Sequence, residues 1–333
     1  MTLGRVATFP SAPDDYDAPD VHSTVDVSVL VPAKDEAENL PLFMEQAEAA
    51  FAGSNARFEV VVIDDGSVDG TWAVLQSLAG RYPFLRPIRH RVRRGIADAL
   101  RTGYLHARGG VLVFYPADLQ YRPEDIPRLV DPILRGDSDM VTGYKQGRYE
   151  KAFVSSIYNR LSRSLFSVPV RDLNSVKAYR REIMDSLPLR PDWHRYMIVM
   201  AAAEGFTVSE VPVPLYPRHA GRSKFGIGRI PVGVLDMLSV WFELRFGKKP
   251  LLLFGMLGAA LFALGVVAGL VALIWLAVTG VGVRPVWTVV QTCLVLGSVF
   301  FATGLLGEQV AVQRAELREL RRQLDALRAR RDV

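Results

Sequence analysis

Three clusters of acidic and turn-forming residues follow three apolar, β-branched runs in the first half of the chain. Pro32-Ala33-Lys34-Asp35-Glu36 follows Val27–Val31, Asp64-Asp65-Gly66-Ser67-Val68-Asp69-Gly70-Thr71 follows Phe58–Ile63, and Pro116-Ala117-Asp118-Leu119-Gln120 follows Val111–Tyr115. Carboxylates in such places hydrogen-bond a ribose or a base, or hold a hard divalent cation against a diphosphate. Taken alone, Asp64-Asp65-Gly66-Ser67 also reads as a turn that caps the next helix. Three such clusters in order favour one shared site over three unrelated turns. Asp137-Ser138-Asp139 repeats the carboxylate spacing but precedes a strand, which puts it at the wrong end of a sheet.

The elements that must position these groups alternate. Helical patterns over about 36–51, 69–78 and 96–107 lie between the three runs, and a further strand follows at Asp139–Thr142. That alternation predicts an α/β domain with a mainly parallel, Rossmann-like sheet covered by helices on both faces. Ligands then bind where strands deliver their carboxyl ends. Hydrophobic residues make up 50% of the chain, and they are unevenly spread. Between Pro250 and Gly307 the only charged side chain is Arg284. Leu251–Val278 and Pro285–Gly307 each exceed the roughly 20 residues that cross a bilayer, so a transmembrane hairpin is expected. Arg245, Lys248 and Lys249 precede the first span, and Arg314, Arg318, Arg321 and Arg322 follow the second. By the positive-inside rule both chain ends and the α/β domain lie on the cytoplasmic side of a multi-pass protein of the cell membrane.

The expected organisation is a loose polar tail at 1–25, an α/β domain at 26–228, a juxtamembrane amphipathic helix at 229–249, two transmembrane helices at 250–307 and a short C-terminal helix at 308–333. The last carries Val310, Leu317, Leu320, Leu324 and Leu327 near a heptad seam. Such a seam suits a homo-oligomer, and a basic helix lying on anionic headgroups suits the same residues. The net charge of +5 fits anionic partners without choosing among them. No basic patch interleaved with aromatics lies on the acidic rim, which argues against nucleic acid. The single cysteine, Cys293, excludes an intramolecular disulfide.

The chain resembles the family 2 glycosyltransferases, and within them the dolichyl- and polyprenyl-phosphate sugar synthases. The resemblance rests on Val29-Leu30-Val31-Pro32-Ala33, Val61-Val62-Ile63-Asp64-Asp65-Gly66-Ser67, Arg94-Gly95, Ala117-Asp118-Leu119-Gln120-Tyr121, Lys177-Ala178-Tyr179-Arg180-Arg181, His194-Arg195 and Arg218-His219-Ala220-Gly221-Arg222-Ser223-Lys224. It implies a nucleotide-diphospho-sugar transferase domain that passes a hexose, from a GDP-mannose or UDP-glucose type of donor, to polyprenyl phosphate with inversion. Pro32, Ala33, Glu36, Asp64, Asp65 and Gly95 would hold the nucleotide sugar. Asp118 and Gln120 would hold Mg2+ or Mn2+. Arg148, Arg218, Ser223 and Lys224 would hold the lipid phosphate and shield like charges. His194 and Arg195 are further candidates, and also read as a helix-start interaction.

Two positions depart from the family pattern. Pro116 stands where relatives carry the first aspartate of the metal motif, and Ser156 where they commonly carry a basic residue. Weakened metal affinity follows from the first, and it gives an inactive, lipid-binding scaffold its best argument. A processive polysaccharide synthase would need more spans and a Gln-x-x-Arg-Trp motif.

Overall fold

The computed structural model describes residues 25–146, 165–166, 170–187, 193–220, 230–247, 249–282 and 284–331. Two compact units emerge, Met1–Met237 and Leu238–Val333. The first is built on a seven-stranded sheet of β1 (Val27–Ala33), β2 (Phe58–Asp64), β3 (Leu85–Arg89), β4 (Val111–Phe114), β5 (Met140–Gln146), β6 (Lys177–Arg180) and β7 (Val208–Pro214). Their order is β3-β2-β1-β4-β6-β5-β7. The pairs β1–β2, β2–β3, β1–β4 and β5–β7 are parallel, whereas β6 runs antiparallel to both β4 and β5.

A parallel strand covered on both faces must be apolar on both, and β1 and β2 are buried along nearly their whole length. Four helices connect the first five strands: α1 (Leu40–Ala52), α2 (Thr71–Arg81), α3 (Ile96–His106) and α4 (Ile126–Leu134). Phe43 and Met44 of α1, Leu75 of α2 and Leu129 of α4 share one core with Val29, Val31 and Val62. On the opposite face α3 packs close to the sheet: a Cβ on Gly103 would lie 2.9 Å from Ile63 Cδ1 and 3.2 Å from Leu30 Cδ2. Two short helices follow, α5 (Arg181–Ser186) and α6 (Met197–Ala203).

The first helix begins at Leu40, later than its sequence pattern suggests, because Glu36–Asn39 is spent on a turn closed by Asn39 N–H donating to Glu36 O. The mainly parallel sheet expected from the sequence is present, with β6 alone reversing direction between β4 and β5 among the described strands.

The boundary between the units falls within α7 (Ile230–Phe246). Beyond it come α8 (Pro250–Thr279) and α9 (Arg284–Arg331), both long and apolar enough to cross a membrane. Only 11% and 17% of their most apolar windows are buried, which fits lipid-facing helices and not the core of a soluble fold. Glycines bring their backbones together: a Cβ on Gly258 would stand 2.5 Å from Phe301 N, and one on Gly297 would stand 2.6 Å from Phe262 N. In lipid, where no hydrophobic drive acts between helices, such close packing would supply the association. α9 continues unbroken through residues 308–331, so the separate C-terminal helix expected from the sequence is the end of the second span's own helix. Glu243 pairs with Arg314 at 3.2 Å, and Glu308 accepts the Leu251 N–H.

Candidate active site

The chain crosses from β1 to β2 on one side and returns from β3 to β4 on the other, so the β1/β4 gap is the switch point where a crevice opens at the carboxyl rim. The three acidic clusters are delivered there. Behind β1 and β2 the first two are knitted together. Lys34 Nζ donates to Gly66 O at 2.6 Å, Asp35 N to Ser67 Oγ at 2.9 Å, and Val68 N to Asp35 Oδ1 at 2.9 Å. Asp35 takes φ of 52°, a left-handed backbone that these contacts hold in place. Ala33 O accepts the Asp65 N–H, and Pro32 is half-buried beside it. Glu36 is buried and accepts from Asn39 Nδ2 at 2.6 Å.

Asp64 is completely buried; its Oδ1 accepts the Ser67 N–H at 2.8 Å and its Oδ2 lies 3.3 Å from Arg89 Nε. Asp65 organises the loop after β3, meeting His90 Nδ1 at 2.9 Å and accepting the amides of Arg94 and Gly95 at 2.7 and 2.8 Å. Burial works against ionisation of Asp65. The His90 contact and the two amides together outweigh it and hold the carboxyl below its ordinary range. Gly66 is required here, with φ of 67° and a would-be Cβ only 2.7 Å from Arg93 N. Gly95, with φ of 97°, turns the chain into α3.

Behind β4, Leu119 is the second non-glycine residue in the left-handed region among the described residues, with φ of 57°. That turn places Asp118 and Gln120 on the same side. Gln120 N donates to Asp118 Oδ1 at 3.2 Å. Arg218 reaches both from a distant part of the chain, 2.8 Å from Asp118 Oδ2 and 3.3 Å from Gln120 Oε1.

Residues 28–185 match the family model described as glycosyl transferase family 2. A dodecaprenyl-phosphate galacturonate synthase of Rhizobium johnstonii is 30% identical over 299 residues, covering 86% of this chain and 88% of that protein. The chain belongs to glycosyltransferase family 2. An undecaprenyl-phosphate 4-deoxy-4-formamido-L-arabinose transferase of Pseudomonas savastanoi pv. phaseolicola is 29% identical over 301 residues, with 88% of this chain and 87% of that protein covered. Glucosyl-3-phosphoglycerate synthase from Mycobacterium tuberculosis, solved with Mn2+, UDP and phosphoglyceric acid, has a like fold: TM-score 0.54 at 20% identity, covering 65% of this chain and 78% of that one.

In this glycosyltransferase the rim brings together Pro32, Ala33, Glu36, Asp64, Asp65, Gly95, Asp118, Gln120 and Arg218. Arg148, Ser223 and Lys224, with Ser156 and Arg222, lie outside the described residues. His194 is buried edge-on to Phe114 at 6.1 Å, within a 3-10 turn at Trp193–Tyr196. Asp139 sits at the start of β5, paired with Arg180 at 3.1 Å.

Some neighbours of these residues are not marked by the motifs, and others, Asp172 and Lys177 among them, carry contacts that the motifs do not reveal. Arg89, the last residue of β3, and His90 just after it brace Asp64 and Asp65, and the Leu-Arg-Pro-Ile-Arg sequence hides the strand. Lys145 and Asp172 pair at 3.0 Å. Lys177 is fully buried, donating to Leu173 O at 3.0 Å and Ser175 O at 2.9 Å. Burial pushes its pKa down to about 7, against the opposing pull of Asp172.

Among the described residues no group of three or more His, Cys, Asp or Glu is placed to hold a metal. The donors present at the third cluster are the Asp118 carboxylate and the Gln120 amide oxygen, with a guanidinium against both. Such a set fits a cation carried chiefly by a ligand's phosphates, since Mg2+ is held by as few as one carboxylate plus phosphates.

Proposed function

We propose that this glycosyltransferase moves a hexose from a nucleotide donor to a polyprenyl phosphate at the cytoplasmic face of a membrane. The observation that supports it most is the convergence of Asp64, Asp65, Asp118 and Gln120 on the switch-point rim of a chain that also carries two membrane-length helices. The relatives named for lipid-phosphate acceptors align over most of their lengths, which favours the same acceptor class here.

In this reading the first two clusters seat the nucleoside. Asp118 and Gln120 would hold Mg2+ or Mn2+ at the diphosphate, and the ion would neutralise charge that gathers on the leaving group. The acceptor phosphate is already anionic, so no strong base is needed. Its oxygen attacks the anomeric carbon as the bond to the donor phosphate breaks, inverting that centre. What the protein supplies is orientation and cationic shielding. Arg218 provides one cation, with Arg148, Ser223 and Lys224 the further candidates.

The test is transfer of label from GDP-mannose, UDP-glucose, UDP-galacturonate and other nucleotide sugars to polyprenyl phosphate, with Mg2+, Mn2+ or chelator. Product from one donor, lost on chelation, is the expected result. Product that survives chelation removes the metal, and no product from any donor removes the proposed reaction.

A further inference from the structure

Two apolar stripes run along α9, on different faces. Val290, Leu294, Gly297, Phe301 and Gly304 lie against the glycine side of α8. The other stripe is Leu296, Val299, Leu306, Val310, Leu317 and Leu320, each at least 44% exposed. At 3.6 residues per turn it lies roughly 150° around the helix from the first. Its spacing is that of heptad positions a and d, with Val310 and Leu317 at a and Leu306 and Leu320 at d. The sequence carries the same spacing on to Leu324 and Leu327. Lipid covers such residues within a span. Beyond Gly307 the apolar run ends, and Val310, Leu317 and Leu320 stand among Glu308, Arg314, Glu316 and Glu319. An apolar stripe in that polar setting calls for a partner.

Anionic headgroups and a second copy of the chain are the two candidate partners, and the helix itself decides between them. To lie on headgroups, the chain must turn sharply where it leaves the bilayer. α9 is helical from Arg284 to Arg331, and no proline or glycine follows Gly307 to kink it. Residues 308–331 therefore carry the helix onward for about 36 Å past the span. Charge favours the second copy too. The e positions are Arg314, Arg321 and Arg328, and the g positions before them are Gln309, Glu316 and Gln323. A parallel pair sets e against g, which brings Arg321 to Glu316 of the second copy and opposes no like charges. An antiparallel pair would set arginine against arginine. Two copies inserted alike in one membrane are parallel already.

Resting on the membrane-spanning reading and not on the transferase reading, we propose that residues 306–327 of α9 pair with the same residues of a second copy as a parallel, in-register, two-stranded coil. About three heptads are marginal as a free peptide. Confinement of both spans to one bilayer raises the effective concentration that such a short seam needs.

The experiment uses the full chain in a Cys293→Ser background, reconstituted in phosphatidylcholine vesicles with and without phosphatidylglycerol. Leu317→Cys, Leu320→Cys and Ala315→Cys are oxidised with copper phenanthroline and run on non-reducing gels. Positions 317 and 320 are expected to give covalent dimers in both lipids, and position 315, on the outer face of the coil, to give none. Equal cross-linking at all three positions, or none at 317 and 320, overturns the coil. So does protection of 317 and 320 from an impermeant maleimide only when phosphatidylglycerol is present, which marks a helix bound to headgroups. Association is then measured by analytical ultracentrifugation in detergent, with helicity checked by circular dichroism. Leu317→Glu is expected to weaken it by about a hundredfold, since one leucine is lost from each strand. Glu316→Arg is expected to weaken it by about fivefold, and adding Arg321→Glu to restore it. A monomeric wild type, or a charge swap that restores nothing, overturns the parallel pairing.

Discussion

Lys177 shows how burial sets the charge of one side chain in the sheet. It faces the end of β4 in register with Phe114, and its ammonium is roofed by the carbonyls of Leu173 and Ser175. In an unfolded chain it titrates near 10.5, and in the fold near 7. Below about pH 7 both states are protonated and the full burial cost is present. Between there and 10.5 the unfolded state holds the extra proton, so stability rises with pH, by at most about 1.4 kcal/mol per pH unit. Lys177→Met removes this term. Thermal melts in detergent from pH 6 to 9.5 are therefore expected to show wild type gaining on the variant above pH 7; parallel curves would mean that Lys177 stays charged. The lysine was visible in the sequence only as part of a family pattern, because burial depends on partners far along the chain. Asp64, Asp65 and Asp118 were legible, since each directly follows an apolar run. The Arg218 contact with Asp118 was not, because nothing local to either residue announces it.

At the scale of elements, legibility followed apolar continuity. β1 and β2 are buried on both faces and read as unbroken hydrophobic runs. β3 and β7 lie at the sheet edges, where two arginines and three prolines are tolerated, and their sequences resemble loops. β6 is only four residues long and antiparallel, so neither length nor alternation marks it. The α8–α9 hairpin was plain from hydropathy, but its seam was not. Gly258→Leu is expected to wedge the helices apart, because the new Cβ would sit 2.5 Å from Phe301 N and 2.7 Å from Gly297 O. A loss of several degrees in detergent melting temperature is the predicted outcome, measured against Gly282→Leu, where the nearest atom to a new Cβ is 3.7 Å away. Equal loss in both variants would remove the close-packed seam from the account.

For the whole molecule, the flanking arginines and lysines predict that both chain ends share one side of the membrane. Single cysteines placed at Val281 and at Ala315 in a Cys293→Ser background test this in spheroplasts. An impermeant maleimide should label position 281 from outside and leave position 315 unlabelled until the cells are opened; the reverse pattern would invert the proposed topology. In the proposed reaction both substrates meet at the acidic rim of the first unit, and Asp118 is the residue on which that proposal depends. The most direct measurement is sugar transfer to undecaprenyl phosphate by purified Asp118→Asn beside wild type, with the lipid product weighed by mass spectrometry and folding checked by circular dichroism. A folded variant whose turnover falls by about 10²–10³ is expected, in line with removal of one group that stabilises developing charge. Wild-type turnover in that variant would contradict the account and place the chemistry elsewhere.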